Sequence, residues 1–298
     1  MMKFGFIIPH NYGLDDPQDV VDVALRAEVM GFDSVWVNHH VLHAGYILDR
    51  LGDKPYYDAL TVLTYVAALT EKIRLGTTVL VLPYLNPLVL AKSLATLDVM
   101  SRGRLIVGAG VGSLQHESES LGSDFENRGA YADEAIEIMK NLWIENEPEY
   151  SGKNFNYSGV KFSPKPFQKP HPPIYIGGQS RPAMRRAAKH GNGWHPIGVG
   201  PKKLSERLSE FKLMVDRNNR KYEEMTISVR DELDVLNSPA SNYSGSMVGN
   251  QDQLIETIEE YIELGVSELV LSVSTDNTEK IKMVMENFSE GIMPRFSD

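Results

Sequence analysis

Two adjacent histidines, His39 and His40, follow a short apolar run, and His43 comes close behind them. Imidazole exchanges a proton near neutral pH, so one of these side chains could hydrogen-bond to a cofactor or substrate oxygen and move its proton. Successive side chains of a strand point in opposite directions, which predicts that at most one of the pair faces a site. Two structural histidines remain an alternative, and no carboxylate lies nearby to complete a metal site with the three.

Glycine recurs at 108, 110 and 112 in a second candidate segment, which ends in Ser113. Glycines at every second position would strip one face of a strand of its side chains and leave a flat surface for a planar ring. Ser113 occupies the place of the third glycine of the dinucleotide-binding fingerprint, so the segment is a poor match to that motif. Gly76, followed by Thr77 and Thr78, indicates either a bulge or close approach by a ligand, or simply threonines that suit a strand.

A third candidate segment combines two glycines with a serine just before a helix. Gly177, Gly178, Gln179 and Ser180 precede a predicted helix that begins near Arg181. Free backbone N–H groups and the positive end of the helix dipole make such a turn a ready anion site. An ordinary turn between a strand and a helix is the alternative.

Alternation of short apolar runs with amphipathic stretches indicates which elements position these residues. The predicted strands are residues 4–8, 34–38, 73–80, 105–110, 174–177, 193–197, 226–236 and 268–272. The predicted helices are residues 17–30, 58–69, 87–100, 128–143, 182–190, 201–218, 252–264 and 279–288. Eight strands that alternate with helices predict an α/β protein with a (β/α)8 TIM barrel. A doubly wound open sheet is the competitor, and both folds bind ligands at the carboxyl ends of the strands.

Prolines and glycines predict where several helices begin and end. Residues 17, 87 and 201 are prolines suited to first turns, and Gly31, Gly191 and Gly265 suit left-handed positions after a helix. Two segments depart from the alternation. Residues 149–173 predict a small hairpin and a proline-rich return, inserted before the fifth strand, and residues 237–250 predict a mobile loop that could cover the barrel mouth.

Length and composition limit the function classes. The 298 residues, 42% of them hydrophobic, are enough for one domain over residues 1–298. A net charge of -10 argues against nucleic acid or an anionic membrane as partner, and no apolar run reaches membrane-span length. The absence of cysteine excludes disulfides and thiolate metal sites. We expect a cytoplasmic enzyme that acts on a small molecule.

Five stretches, taken in order, resemble the luciferase-like family of flavin and deazaflavin oxidoreductases. They are AEVMGFDSVWVNHH at 27–40, NPLVLAK at 86–92, LATLDVMSRGR at 94–104, PPIYIGG at 172–178 and GNGW at 191–194. The resemblance is to the branch that uses the 5-deazaflavin coenzyme F420, and it implies hydride transfer between F420 and a small organic substrate in a homodimer. An FMN-dependent monooxygenase is the main alternative. A non-catalytic flavin-binding protein and a metal-dependent hydrolase that uses the histidines are the others.

The resemblance also implies roles for individual positions. His40 would lie at the reactive edge of the ring, with His39 and Asn38 beside it, and we assign catalysis to His40 and His39. The third strand would contain a non-prolyl cis peptide bond between Thr78 and Val79. The implied cofactor-binding residues are Asn38, His39, His40, Thr77, Thr78, Val79, Gly110, Val111, Gly112 and His116, with Gly177, Gly178, Gln179 and Ser180 at the phosphate, and no metal is expected.

Two positions depart from the sugar-phosphate dehydrogenases of the deazaflavin branch. Those enzymes carry an aspartate and a proton-donating glutamate where this chain has His39 and Ser113. We therefore expect a different substrate. The general acid remains open among His39, His40 and Glu117.

Overall fold

The barrel closes through hydrogen bonds between its first and last strands. The computed structural model describes residues 1–241, 245 and 247–296. Within these residues, eight parallel strand positions, which we call staves, form a closed barrel. β1 (Lys3–Ile7) pairs with both β2 (Ser34–Val37) and β13 (Glu268–Ser272). β3 (Arg74–Thr77) pairs with β5 (Leu105–Gly110). The predicted TIM barrel is confirmed and the open sheet is excluded.

The remaining elements follow in chain order. The other strands are β4 (Leu80–Val81), β6 (Tyr150–Ser151), β7 (Asn156–Tyr157), β8 (Ile174–Gly177), β9 (Gly193–His195), β10 (Thr226–Glu232), β11 (Asp234–Leu236) and β12 (Val248–Asn250). The helices are α1 (Pro17–Val29), α2 (Tyr46–Leu51), α3 (Ala59–Leu69), α4 (Pro87–Met100), α5 (Gln115–Ser120), α6 (Arg128–Ile144), α7 (Arg181–His190), α8 (Pro201–Arg217), α9 (Gln251–Glu263) and α10 (Thr278–Gly291). In the described part of the chain, no helix is long and apolar enough to cross a membrane.

The predicted third and seventh strands are each divided. The third stave consists of β3 and β4, with a cis peptide bond between Thr78 and Val79 where they separate, as the family resemblance implied. The seventh stave, β10, ends at Glu232, and β11 pairs in parallel with β12 instead. Residues 242–244 and 246, in the middle of the predicted mobile loop, lie outside the described residues.

Side-chain caps explain why several helices begin where the sequence predicted. Asp16 accepts a hydrogen bond from the Gln18 amide at the start of α1, and Asn86 accepts one from Leu88 at the start of α4. Gly31 has the expected positive φ of 84°, but the prediction for Gly191 was wrong, because its φ is -83°. A Cβ at Gly191 would lie 2.9 Å from the Gly193 carbonyl oxygen, so close backbone approach explains that glycine.

The predicted insertion before the fifth stave is a hairpin held against the helical layer. β6 and β7 pair antiparallel, with Tyr150 opposite Tyr157. Glu134 of α6 accepts hydrogen bonds from the backbone amides of Asn154 and Phe155 at 3.0 and 3.2 Å. These bonds fix the hairpin on the outside of the barrel.

Trp36 fills the inside of the barrel and determines which neighbouring positions must be glycine. Its indole is fully buried and stacks on the rings of Tyr175 and His195 at centroid distances of 6.2 and 5.2 Å. A Cβ at Gly76 would lie 2.2 Å from the indole, and one at Gly5 would lie 2.5 Å from it. Gly76 therefore makes room for a core side chain and not for a ligand.

Replacing Gly108 by alanine should strongly destabilise the barrel. The new Cβ would lie 1.7 Å from the carbonyl oxygen of Thr77, a backbone atom that cannot rotate away. We expect Gly108→Ala to lower the free energy of unfolding in urea by about 3 kcal/mol. The control Gly291→Ala, whose Cβ would meet nothing closer than 3.4 Å, should change it by less than about 1 kcal/mol. Equal effects of the two substitutions would contradict this packing.

Candidate active site

A cavity of about 500 Å³ opens at the carboxyl ends of the strands. Its lining comes from the ends of seven staves in the described residues, with helix α2 and the segment after it on one side. The predicted residues that line it are Asn38, His39, His40, Thr78, Val79, Gly110, Val111, Gly112, Gly177 and Gly178. The structure thus brings most of the predicted site together where a TIM barrel places its ligands.

The space above the glycines is filled by the bulge of the third stave, which corrects the interpretation of a bare platform. A Cβ at Gly110 would lie 2.4 Å from the Val79 side chain, and one at Gly177 would lie 2.8 Å from it. The glycines therefore accommodate Val79, which itself lines the cavity. A planar ring would rest on the apolar Val79 side chain rather than on exposed backbone.

His40 and Glu117 form a hydrogen-bonded pair at the cavity edge. Nδ1 of His40 lies 2.6 Å from Oε2 of Glu117, whose side chain is fully buried, whereas 14% of the His40 side chain is exposed. The other carboxylate oxygen accepts the backbone amides of Val41 and Leu42 at 2.7 and 3.0 Å. Burial raises the pKa of Glu117, but the hydrogen bonds from His40 and the two amides outweigh it and lower the pKa overall.

This pairing determines which nitrogen of His40 can act on a ligand. An ionised carboxylate only accepts hydrogen bonds, so Nδ1 of His40 carries a proton and donates a hydrogen bond to Glu117. Nε2 faces the hydroxyl of Tyr46 at 3.1 Å. This geometry leaves Nε2 to exchange a proton with a bound molecule, while Glu117 fixes the orientation of the ring.

His39 has a different environment from its neighbour. Its Nδ1 accepts a hydrogen bond from the backbone amide of Val81 at 3.2 Å, so the proton of the neutral ring is on Nε2. Burial lowers the pKa of His39 to about 4. His39 is therefore a neutral hydrogen-bond donor at pH 7. Both histidines line the cavity, contrary to the alternation expected of a strand, because β2 ends at Val37.

His195 is a further cavity residue that the sequence did not single out. Its ring hydrogen-bonds with the hydroxyls of Thr78 and Ser228, both at 2.9 Å, and thereby ties the bulge to β10. Burial lowers the pKa of His195 to about 3, and the positive charge of Arg230 acts in the same direction. The ring is therefore a neutral support for the bulge.

The predicted anion-binding turn leads directly into α7. Gly178 has a φ of 103°, and its carbonyl oxygen accepts the indole N–H of the buried Trp194 at 2.8 Å. The Ser180 side chain caps the helix by accepting the Ala183 amide, and the Gln179 side chain donates to the Ile197 carbonyl oxygen. Gly177 and Gly178 line the cavity, whereas Gln179 and Ser180 do not.

Two predicted cofactor residues lie away from the cavity. Thr77 faces the wall, where its hydroxyl hydrogen-bonds with the backbone of Gly108 at 2.8 Å. His116 lies on the exposed side of α5, whereas Glu117, the next residue, points inward. The one-residue step around a short helix explains the difference, and no pattern in the sequence predicted α5.

Besides His195, five polar residues of the cavity were missed by the sequence analysis: Asn11, Tyr46, Arg50, Tyr56 and Arg230. Arg230 lies within β10, where its Nη1 donates to the side-chain oxygen of Asn38 at 2.6 Å and to the Thr78 carbonyl oxygen at 3.1 Å. A charged residue inside a predicted barrel strand was the available signal. It went unused because a strand pattern alone does not reveal which face is open to a ligand.

The geometry fits a cofactor with a flat ring and an anionic tail. Val79 supplies apolar surface, His39 supplies a donor, and the backbone amides at the start of α7 could hold an anion. By contrast, the described residues contain no group of three histidine, aspartate or glutamate side chains that could hold a metal ion.

A family comparison agrees with this arrangement. Residues 2–233 match the family model described as luciferase-like monooxygenase. The chain belongs to this family. Its members are enzymes, and the predicted resemblance is confirmed.

Individual relatives of this luciferase-like chain differ in cofactor. It is 26% identical to an F420-dependent glucose-6-phosphate dehydrogenase of Amycolatopsis mediterranei, over 94% of each chain. It is 25% identical to the oxygenase component of a flavin-dependent trigonelline monooxygenase of Acinetobacter baylyi, over 65% of this chain and 52% of the relative. Among solved structures, a monooxygenase from Streptomyces bottropensis superposes with a TM-score of 0.83 and 23% identity, over 99% of this chain and all of the other.

The two buried neutral histidines should make the luciferase-like barrel sensitive to acid. Their folded pKa values, about 4 for His39 and about 3 for His195, lie below the ordinary 6.5. Their contribution is therefore complete above pH 6.5 and is lost as the pH falls toward the folded values, at about 1.4 kcal/mol per pH unit for each. We expect His195→Gln to make the unfolding free energy fall less steeply between about pH 6.5 and pH 5. The slope should decrease by about 1.4 kcal/mol per pH unit, because one titrating group is removed. An unchanged slope in urea titrations would contradict the assignment.

Proposed function

We propose that this chain is an oxidoreductase that transfers a hydride between coenzyme F420 and a small organic substrate. The observation that carries the proposal is the His40–Glu117 pair, whose histidine lines the same cavity as Val79 of the bulge. The pair can move a proton, and the bulge offers a flat apolar support. Both are needed next to a ring that exchanges hydride.

Similarity over the whole chain supports coenzyme F420 as the cofactor. The F420-dependent relative from Amycolatopsis mediterranei is matched over 94% of both chains, whereas the flavin-dependent relative is matched over 65% of this chain. Bound F420 supplies a deazaflavin carbon that gives or accepts a hydride. In this chain, Val79 and Val111 would hold the ring, and the amides of Gly178, Gln179 and Ser180 would hold its phosphate.

His40 would handle the proton that accompanies hydride transfer. Oxidation of an alcohol releases a hydroxyl proton, and reduction of a carbonyl consumes one. Nε2 of His40, which hydrogen-bonds with the Tyr46 hydroxyl, is the nitrogen that would accept or return it, because Nδ1 is held by Glu117. His39 would instead donate a fixed hydrogen bond, since burial keeps its ring neutral. This division makes His40 the general acid and base, with Glu117 as its positioning residue.

An FMN-dependent monooxygenase is the second candidate. It is favoured by the similarity to the trigonelline monooxygenase oxygenase component and by the family to which the chain belongs. The same bulge and the same anion-binding turn would hold a flavin ring and its phosphate. Reactivity with oxygen separates the two candidates, because a reduced flavin reacts with oxygen and a reduced deazaflavin does not.

We infer that residues 1–298 form a single domain. A hydrophobic cluster contains residues from β1, such as Phe4, and residues from α10, such as Phe288, whose rings lie 5.2 Å apart. The first and last parts of the chain therefore share a core. Following the family resemblance, we also propose a homodimer. We propose a cytoplasmic location because a sequence without cysteine suits a reducing compartment.

Titration of the purified chain with F420 and FMN tests the cofactor directly. We expect F420 to bind at least about tenfold more tightly than FMN, measured by quenching of protein fluorescence. Gly178→Val should weaken F420 binding at least about tenfold, because it crowds the start of α7. The control Gly159→Val changes another glycine with positive φ, in an open position, and should bind F420 normally. Tighter binding of FMN, followed by oxygen consumption, would favour the monooxygenase.

Substitution of the proton-transfer pair tests the assigned roles. With the best substrate from a panel of small alcohols and carbonyl compounds, His40→Ala should lower kcat by about 100-fold or more while F420 still binds. Glu117→Gln should lower kcat about tenfold and change KM by less than about threefold, as expected of a residue that acts through His40. Unchanged kinetics in His40→Ala would remove this side chain from the mechanism.

A further inference from the structure

The cavity is positively charged although the chain as a whole is acidic. Arg50 and Arg230 line it, and no aspartate or glutamate does so among the described residues. The chain carries a net charge of -10, so this local excess of positive charge is opposite to the average surface. A concave site lined by one sign of charge attracts ligands of the other sign.

Arg230 is the central cation of this cavity, and most of its donors are unused. Among the described residues it forms no ion pair, and its hydrogen bonds run only from Nη1, to Asn38 and Thr78. To the residues that the structure describes, Nε and Nη2 donate none, which leaves one edge of the guanidinium free. Glu232, two residues along β10, is near enough for its charge to favour protonated Arg230, but its hydrogen bonds are to Ser272 and Ser274.

Tyr56 adds a second group without a partner at the same place. Its hydroxyl is buried and has no hydrogen-bond partner in the part of the chain that the structure describes. Its ring meets the rings of His10 and His40 edge-on, at centroid distances of 5.4 and 6.0 Å. Buried hydroxyls are rarely left unsatisfied, so a ligand atom is the natural partner.

Both groups lie on the side of the cavity where the proton-transfer pair lies. Arg230 donates a hydrogen bond to Asn38, which lies two residues before His40, and the ring of Tyr56 contacts the ring of His40 itself. The predicted phosphate site, at Gly177 and Gly178, is formed by a different stave. The free guanidinium edge is therefore available to the substrate while the cofactor tail is held elsewhere.

A carboxylate is the ligand that these groups fit. A guanidinium buried without an anion is unfavourable, and its planar fork matches the two oxygens of a carboxylate. The Tyr56 hydroxyl can donate to one of the same oxygens. An apolar body would then contact Tyr46, Ile47 and Ile197, which also line the cavity.

We propose that Arg230 and Tyr56 bind the acid group of the substrate, so that the substrate is a small organic acid whose reacting carbon lies near His40. The reaction at that carbon rests on the proposed function, whereas binding of the acid group does not. Arg230 and Tyr56 are therefore specificity-determining residues, separate from the cofactor-binding turn.

Binding of benzoate and of the neutral, isosteric benzamide tests this proposal. Both are titrated calorimetrically into the chain saturated with oxidised F420, and into the chain without cofactor. We expect benzoate to bind at least about tenfold more tightly than benzamide in both forms. Arg230→Met should abolish the preference, and Tyr56→Phe should reduce it at least about threefold without disturbing the fold. Arg217→Met, which removes an exposed arginine at the end of α8, should leave it unchanged.

The outcomes separate this proposal from the proposed function. Equal affinity for the two compounds, or no binding of either, would overturn it, as would a benzoate preference that survives in both Arg230→Met and Tyr56→Phe. Loss of F420 binding in Arg230→Met would also overturn it, by assigning the guanidinium to the cofactor. A benzoate preference in a chain that binds no F420 would support the acid site and reject the proposed cofactor.

Discussion

The third stave can leave the sheet only where its neighbours have no side chains. A Cβ at Gly108 would strike the Thr77 carbonyl oxygen, and Cβ atoms at Gly110 and Gly177 would strike Val79. These three glycines, on two different staves, create the room into which the bulge fits. The bulge in turn exposes Val79 at the cavity and turns the Thr78 carbonyl toward Arg230. The shape of the candidate site therefore originates in backbone packing around one stave.

Different surroundings then give different functions to two histidines that are adjacent in sequence. His39 is neutral because burial makes its charged form unfavourable, and the Val81 amide fixes its tautomer. His40 is held instead through Nδ1 by the buried carboxylate of Glu117. One ring is suited to a fixed hydrogen bond and the other to proton exchange. The same residue type thus supplies two functions, because one ring meets an amide and the other meets a carboxylate.

The sequence was sufficient for the barrel, since the eight staves are short apolar runs separated by capped helices. It was not sufficient for α2 and α5, which are six residues long and depend on tertiary contacts. The alternating glycines were read as a platform because a sequence does not show what a missing Cβ would have met. His40, Val79 and Gly178 were found from motifs. Arg230 and Tyr56 were missed, because their importance lies in unused hydrogen-bonding groups that only a three-dimensional structure reveals.

The most direct measurement of the central claim is a crystal structure of the chain soaked with F420. We expect the ring of F420 to lie against Val79 with its reactive edge toward Nε2 of His40, and its phosphate at the amides that begin α7. An empty cavity at saturating F420, or a ring bound away from Val79 and His40, would contradict the account.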